Sequence, residues 1–485
     1  MPTGSADGRA LKLSELPDAV VGVLSRLTDA GHQAALVGGS LRDLLRGGPP
    51  GDWDIATSAP PEEVASLFPG ATWENPFGTV TVRANPGPVS VEVTTFRVEA
   101  GYRDQRRPDE VRWGGSLEED LSRRDFTINA IGWVPHDLGA RQGLLVDPYG
   151  GAADLRDGVL RAVGDPSERF AEDALRLLRA VRFATRFGLE LDAATEQALR
   201  RHAAAAAALS GERVRDEILR ILGARQAAEP PSRAFQLMEG LGLLAVVLPE
   251  LQALRGVPQA KARPGDALDH SLHTANALTP ADPYLRLFGL LHDVGKATTL
   301  GDGHFIGHET EGAQVVETIL RRLHVPRVEV ARGRHLVRHH MFAYAPAWSD
   351  AAVRRFIRRV GASSLADLFA LRRADDVASG VEEPQRGGLD ELRARVGREL
   401  ASSPLTAGQL VVRGDDLIRE LGLRPGPVVG RLLGELMEAV LDDPAANDRE
   451  ALLALARASL ARDPEGVPGG AGTHQARAAP HEPGP

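Results

Sequence analysis

The feature that most constrains this chain is a change in the spacing of its apolar residues near position 150. Side chains alternate between the two faces of a strand, whereas one face of a helix recurs every three to four residues. Before the change, residues 34–37, 53–56, 79–84 and 89–96 read as strands by alternation and β-branched content. Residues 17–30 read as an amphipathic helix, and another helix follows a Gly turn from Ser40. Beyond it the strand pattern fades. Residues 171–187, 193–209, 212–222 and 233–241 are apolar at helical spacing, and helix follows helix to about 460. The expected fold class is α+β: a head with a small mixed sheet, then an all-α remainder.

A length of 485 residues allows roughly three domains at about 150 residues each. There is no cysteine, which excludes disulfides, thiolate metal sites and a cysteine nucleophile. That fits a reducing cytoplasm. Residues 1–13 carry no basic stretch followed by an apolar one, and no apolar run approaches the ~18–20 residues of a bilayer span. A cytoplasmic location away from membranes is expected, and the sequence assigns no oligomeric state. The formal charge of −9 argues against a generally basic nucleic-acid binder. Local charge matters more. Residues 176–225 hold ten Arg against six acids, and 321–340 hold six Arg and four His against one Glu. Residues 1–12 and 463–485 lack an apolar period and read as disordered. Pro and Gly near 256–266, and Gly, Pro and charges near 381–403, suggest boundaries.

Asp52 and Asp54 flank Trp53 at the start of a strand. They share one face, about 7 Å apart, and can hold hard cations, while Trp53 and Ile55 turn to the core. Upstream, the turn Gly38-Gly39-Ser40-Leu41-Arg42-Asp43 joins a strand to a helix. Such a turn lets backbone N–H groups approach a phosphate. Glu92, on a strand otherwise apolar in character, supplies a third carboxylate. Three such acids suit phosphoryl transfer with two Mg²⁺ ions.

These residues carry a family resemblance. The glycine turn with Asp52-Trp53-Asp54-Ile55-Ala56-Thr57 resembles the first motif of the class II tRNA nucleotidyltransferase and bacterial poly(A) polymerase family. Arg123-Arg124-Asp125-Phe126-Thr127-Ile128-Asn129-Ala130 is similar to its second, and Asp147-Pro148-Tyr149-Gly150-Gly151 with Asp154-Leu155 to its third. Glu172-Asp173-Ala174-Leu175-Arg176-Leu177-Leu178-Arg179 resembles the fourth, and Glu212-Arg213 with Glu217 the weaker fifth. The five stand in family order. The resemblance implies a nucleotidyltransferase head over residues 13–150, a helical neck and body for nucleotide selection and RNA binding over 151–265, an HD domain over 266–380 and a helical tail over 381–462. It implies metal ligation by Asp52 and Asp54, and contact of Arg123, Asp125 and Asn129 with ribose and triphosphate. Gly39 and Arg42 join this nucleotide-binding set.

Asp173 and Arg176 are three apart on an expected helix and so share a face, with Arg179 one turn on. A carboxylate accepts and a guanidinium donates. Cytosine and adenine offer an amino donor beside a ring-nitrogen acceptor, and uracil and guanine present the reverse. An Asp–Arg pair therefore fits C and A, and a reversed base leaves buried groups unpaired, at about 1–3 kcal/mol each. The Arg-rich loop 99–108 resembles a segment that reorganises the family's pocket between nucleotides. The implied activity is addition of CMP and AMP from CTP and ATP to the tRNA 3′ end. CC-only addition, A-only addition and poly(A) synthesis are its alternatives.

A second constellation lies in the helical half. His270, the run Leu290-Leu291-His292-Asp293-Val294-Gly295-Lys296, and Asp375-Asp376 resemble an HD phosphohydrolase domain. The resemblance implies His270, His292, Asp293 and Asp375 as ligands of a divalent transition metal. His273 competes with His270 and Asp376 with Asp375, and His308, His339 and His340 are further candidates. Imidazole with carboxylate suits such an ion. The site would hydrolyse phosphate esters on RNA ends, or the domain would only bind tRNA.

Overall fold

The structure, a computed structural model, describes residues 9–73, 78–84, 89–100, 110–259, 261–301, 304–381 and 383–462. The chain forms two compact units that divide between Val337 and Arg338, inside the expected HD segment.

The first unit begins with nine strands: β1 (Arg9–Lys12), β2 (Ala34–Val37), β3 (Trp53–Thr57), β4 (Thr79–Ala84), β5 (Val89–Thr95), β6 (Arg97–Ala100), β7 (Glu110–Trp113), β8 (Gly132–Asp137) and β9 (Gln142–Val146). Seven form one sheet in the order β1-β9-β8-β2-β3-β5-β4, and β6 pairs with β7 as a separate hairpin. Only β3 and β5 run parallel within that sheet. Helices α1 (Asp18–Asp29), α2 (Gly38–Leu45), α3 (Pro61–Leu67) and α4 (Leu117–Ser122) accompany it. Val20, Val23, Leu24 and Leu27 of α1 recur at helical spacing and pack against Val80, Val91, Val93 and Ile55 of the sheet. The other face carries a smaller core of Val37, Ala56, Phe96, Leu117 and Leu121. Arg9–Lys12 is therefore ordered, contrary to the expected disorder over 1–12: it pairs with β9 from Arg9↔Leu145 to Lys12↔Gln142. Residues 1–8 and 463–485 lie outside the described residues.

Helices follow: α5 (Gly151–Asp157), α6 (Pro166–Glu172), α7 (Leu175–Phe187), α8 (Ala193–His202), α9 (Gly211–Leu222), α10 (Pro231–Gly240), α11 (Leu244–Val247) and α12 (Pro249–Gln252). A short parallel pair, β10 (Val159–Leu160) with β11 (Glu190–Leu191), interrupts them, so strands do not end at 150. The expected continuous helix 171–187 is broken at Asp173, whose backbone is extended (φ −146°, ψ 106°). Its carboxylate accepts the Leu175 N–H at 2.9 Å, and the short polar side chain so captures a backbone donor where α7 begins. Apolar spacing runs on through that break and hides it.

Next come α13 (Ala267–Ala277), α14 (Pro283–Leu291), α15 (Lys296–Thr299), α16 (His308–Arg322) and α17 (Arg327–His339). Gly295 touches the start of α16: an added Cβ would lie 2.2 Å from the His308 carbonyl oxygen. The second unit contains α18 (Asp350–Val360), α19 (Leu365–Ala378), α20 (Glu383–Ser402), α21 (Gly414–Leu421), α22 (Pro427–Asp442) and α23 (Arg449–Arg462). Residues 383–402 are thus a helix where a boundary was expected. Leu392 and Val396, four apart, bury one side of it. Buried Arg354 of α18 donates to the Leu441 carbonyl at 2.7 Å and pairs with Glu399 at 2.9 Å, tying α18 to α22 and α20.

Candidate active site

The parallel pairing of β3 with β5 sets Asp54 directly opposite Glu92. In-register neighbours point to one face, so the two carboxylates stand together on the open side of the sheet. Ser90 and Glu92 face outward while Val91 and Val93 are buried, so Glu92 is an open-face acid rather than an acid in a core-like strand. Asp52 immediately precedes β3. Partial burial and then the charges of Asp54 and Asp52 raise the Glu92 carboxyl above its ordinary value. Burial likewise raises Asp54, against the pull of Arg124 and the Gly39 N–H. That N–H donates to Asp54 Oδ2 at 3.2 Å. Gly38 adopts φ +68°, and an added Cβ would meet Arg124 Nη1 at 2.7 Å and Asp54 Oδ2 at 3.1 Å. The glycine turn thus cradles a carboxylate of this chain. The trio lines a cleft of about 1640 Å³.

Arginines and their acids build the opposite wall. Asp125 is buried; burial opposes its ionisation, but Arg179 at 2.7 Å and the Asn129 amide outweigh that and bring its pKa to about 2. Asn129 Oδ1 accepts from Arg42 at 2.6 Å, and Arg42 lies over the Phe187 ring at 4.4 Å. The third motif supports the second. Gly151 admits the Thr127 carbonyl so closely that a Cβ would sit 1.9 Å from it, and Asp154 accepts the Thr127 hydroxyl at 2.7 Å.

Asp173 and Arg176 both line the cleft, but not as two residues of one helical face. Asp173 sits in the break and pairs with Arg213 of α9 at 2.8 Å. Arg176 pairs with Glu172 and donates to the Arg123 carbonyl at 3.0 Å. Two further groups escaped sequence reasoning. Asp120 is fully buried and pairs with Arg123 at 2.5 Å and Arg124 at 3.1 Å; its position three and four residues earlier was the available signal. Arg182 pairs with buried Glu217 across α7 and α9 at 2.6 Å, a contact between segments that no local pattern announces.

Away from this cleft, ligand atoms of His270, His292 and Asp293 lie within 4.8 Å of one another, all buried. His292 Nδ1 lies 2.7 Å from the Gly289 carbonyl and His308 Nδ1 2.7 Å from the Phe305 carbonyl. Each Nδ1 therefore donates, and each Nε2 keeps its lone pair. Those Nε2 atoms stand 3.3 Å and 3.5 Å from the Asp293 carboxylate. His270, not His273, joins the group: its Nε2 is 3.6 Å from Asp293. Lys296 lies 2.6 Å from Asp293, and Lys261 lies 2.7 Å from His270 Nε2. Asp375 and His340 belong to the second unit, where both are buried. There Asp375 accepts the Ser379 hydroxyl at 3.2 Å, and Arg372 lies 3.1 Å from Asp376.

Residues 34–161 match the poly A polymerase head domain, 188–254 the probable RNA and SrmB-binding site of polymerase A, 267–380 the HD domain and 406–456 the putative second domain of tRNA nucleotidyltransferase. The chain is 37% identical to the A-adding tRNA nucleotidyltransferase of Deinococcus radiodurans, over 90% of this chain and 96% of that one. The chain belongs to the class II tRNA nucleotidyltransferase and bacterial poly(A) polymerase family. Another relative, the CCA-adding enzyme of Geobacillus stearothermophilus, is 33% identical over 90% of this chain and 95% of its own. The crystal structure of the Bacillus stearothermophilus CCA-adding enzyme in complex with CTP superposes with a TM-score of 0.67 at 30% identity, covering 92% of this chain and 98% of that one. Membership of this nucleotidyltransferase family brings divalent-metal use in general. Among the described residues no helix is long and apolar enough to cross a membrane.

Proposed function

We propose that this nucleotidyltransferase adds CMP and AMP, from CTP and ATP, to the 3′ end of tRNA. The observation that carries the reading is the register of β3 on β5, which brings Asp54 and Glu92 together beside Asp52 in the cleft that Asp173 and Arg176 also line. Three oxygen donors that repel one another suit hard cations, and Asp52, Asp54 and Glu92 would hold two Mg²⁺ ions. When bound, such ions supply activation of the attacking 3′-hydroxyl and neutralisation of the departing pyrophosphate. The chain's own part is orientation. Arg42, Arg123 and Asn129, with Asp125 fixed by Arg179, would hold ribose and triphosphate, while the Gly39 N–H aligns Asp54. Asp173, steadied by Arg213, would accept the amino group of C or A, and Arg176 would donate to the neighbouring ring nitrogen.

The full-length likeness to an A-adding enzyme favours a second reading, in which only the terminal A is added. The Arg-rich loop proposed to remodel the pocket lies largely in 101–109, outside the described residues. tRNA transcripts ending before CCA, after C and after CC, given Mg²⁺ with CTP and ATP singly and together, separate the cases. Three additions to the shortest transcript support the first reading, and extension only of the CC-ended transcript supports the second. Long adenylate tails or no extension at all would overturn both.

The His–Asp cluster would hold a divalent transition metal and hydrolyse phosphate esters such as 2′,3′-cyclic ends. His292 and His308 offer lone pairs toward Asp293, and entry of the ion requires Lys261 to release His270.

A further inference from the structure

Neither Asp120 nor Arg124 belongs to the binding set above, yet Asp120 pairs with Arg123 of that set and Arg124 adjoins Asp54. Asp120 is a carboxylate with no solvent exposure, and burial alone would discourage its ionisation. The charges of Arg124 and Arg123 outweigh that burial and hold its carboxyl below the ordinary range, so it is a charged anchor. Arg124 is half-finished by comparison. Its Nη2 binds Asp120 at 3.1 Å and its Nη1 reaches the Asn129 carbonyl at 3.3 Å. Its buried Nε has no hydrogen-bond partner among the described residues. On the other side, Arg124 is the leading positive charge acting on Asp54. Gly38 lies between them: one carbon added there would touch both groups, at 2.7 Å and 3.1 Å, so the glycine leaves the two side chains room to approach each other.

A guanidinium this close to a desolvated carboxylate, with a spare donor, has an alternative state: a bidentate pair with Asp54 that occupies the oxygens a cation needs. We propose that Asp120 is a positioning residue, a buried latch that holds Arg124 off Asp54 and so keeps that carboxylate open to divalent metal. The inference rests on the reading of Asp52 and Asp54 as a metal site and adds to it the element that keeps the site available. Arg124 then competes with metal weakly while the latch holds and strongly once it is lost.

The test is a double-mutant cycle on the full chain, with metal affinity as the readout rather than turnover. Mn²⁺ binding is titrated by electron paramagnetic resonance in a His292→Ala/Asp293→Ala background, which removes the other metal cluster. The head signal is the part lost in Asp52→Ala/Asp54→Ala. Asp120→Asn is expected to weaken it about fivefold, and the same substitution in an Arg124→Gln background to change it by less than about 1.5-fold. Equal losses in both backgrounds would mean simple loss of a negative charge and would overturn the latch. Should Asp120→Asn fail to fold, Arg124→Gln alone decides: Mn²⁺ binding about threefold tighter is expected from removing a competitor, and unchanged or weaker binding overturns the proposal. No Mn²⁺ signal sensitive to Asp52 and Asp54 would sink the metal reading and the latch together. A signal insensitive to Asp120 in folded protein sinks the latch alone.

Discussion

In the head cleft, Asp54 and Glu92 are brought together by the register of two strands; in the His–Asp cluster, His292 and Asp293 arrive together at the end of one helix and a turn. The first site offers oxygen donors only, in a broad cleft lined by arginines. The second mixes imidazole with carboxylate in a buried nest, where carbonyls of Gly289 and Phe305 fix the histidines. The difference teaches that donor chemistry and access go together. A hard, hydrated ion shared with a triphosphate needs an open oxygen site, whereas a tightly held transition ion suits a buried nitrogen-rich one.

The largest expected effect breaks one side of that comparison. Asp54→Ala should lower nucleotide addition about a thousandfold or more, measured as single-turnover extension of a tRNA transcript, while the transition-metal content of the purified protein stays the same. Equal loss of both would mean that the two sites are not separate in kind. Next, His292→Ala/Asp293→Ala should reduce cluster metal affinity about a hundredfold and abolish hydrolysis of 2′,3′-cyclic ends, in which water opens the ring to a terminal monophosphate. Elemental analysis after dialysis against a chelator reads the first. Retained metal would remove the cluster from the comparison.

A smaller effect sharpens the electrostatics of the cleft wall. The Asp125 carboxyl sits at about 2 when folded, against an ordinary 3.8. A depressed carboxylate stabilises the fold above the unfolded value and loses that stabilisation as pH falls through the folded one. Wild type should therefore exceed Asp125→Asn by about 2 kcal/mol near neutral pH. The gap should narrow from about pH 5 downward and vanish only below about pH 2, near about pH 1. A gap independent of pH in chemical denaturation would refute the Asp125–Arg179 assignment. The smallest effect concerns Arg213, which steadies Asp173 without an expected base contact. Arg213→Ala should reduce discrimination of CTP over UTP about tenfold, read from the ratio of kcat/KM values. Unaltered discrimination would detach Arg213 from base choice.

How much was legible differs between the sites in the same way. Asp54 could be placed on a strand from alternation, although Asp52, expected on the same strand, immediately precedes it, and His292-Asp293 could be read from a contiguous run. The pairing of Asp54 with Glu92 could not, because β5 reaches β3 in parallel only after β4 has been laid on its far side. Nor could the partners of Asp173 and Arg179, which come from α9 and from the segment after α4. Period reading carried a helix straight through Asp173, because apolar spacing registers a face and not a captured N–H. Strands β1, β8 and β9 were missed for a related reason: Lys12, Pro135 and Gln142 dilute their alternation.

The most direct test of the head as a metal site is an anomalous difference map from crystals grown with Mn²⁺ and CTP. Peaks bridging the carboxylates of Asp52 and Asp54, beside the triphosphate, are the expected result. A triphosphate bound elsewhere, or an ordered nucleotide with no ion on either aspartate, would contradict it.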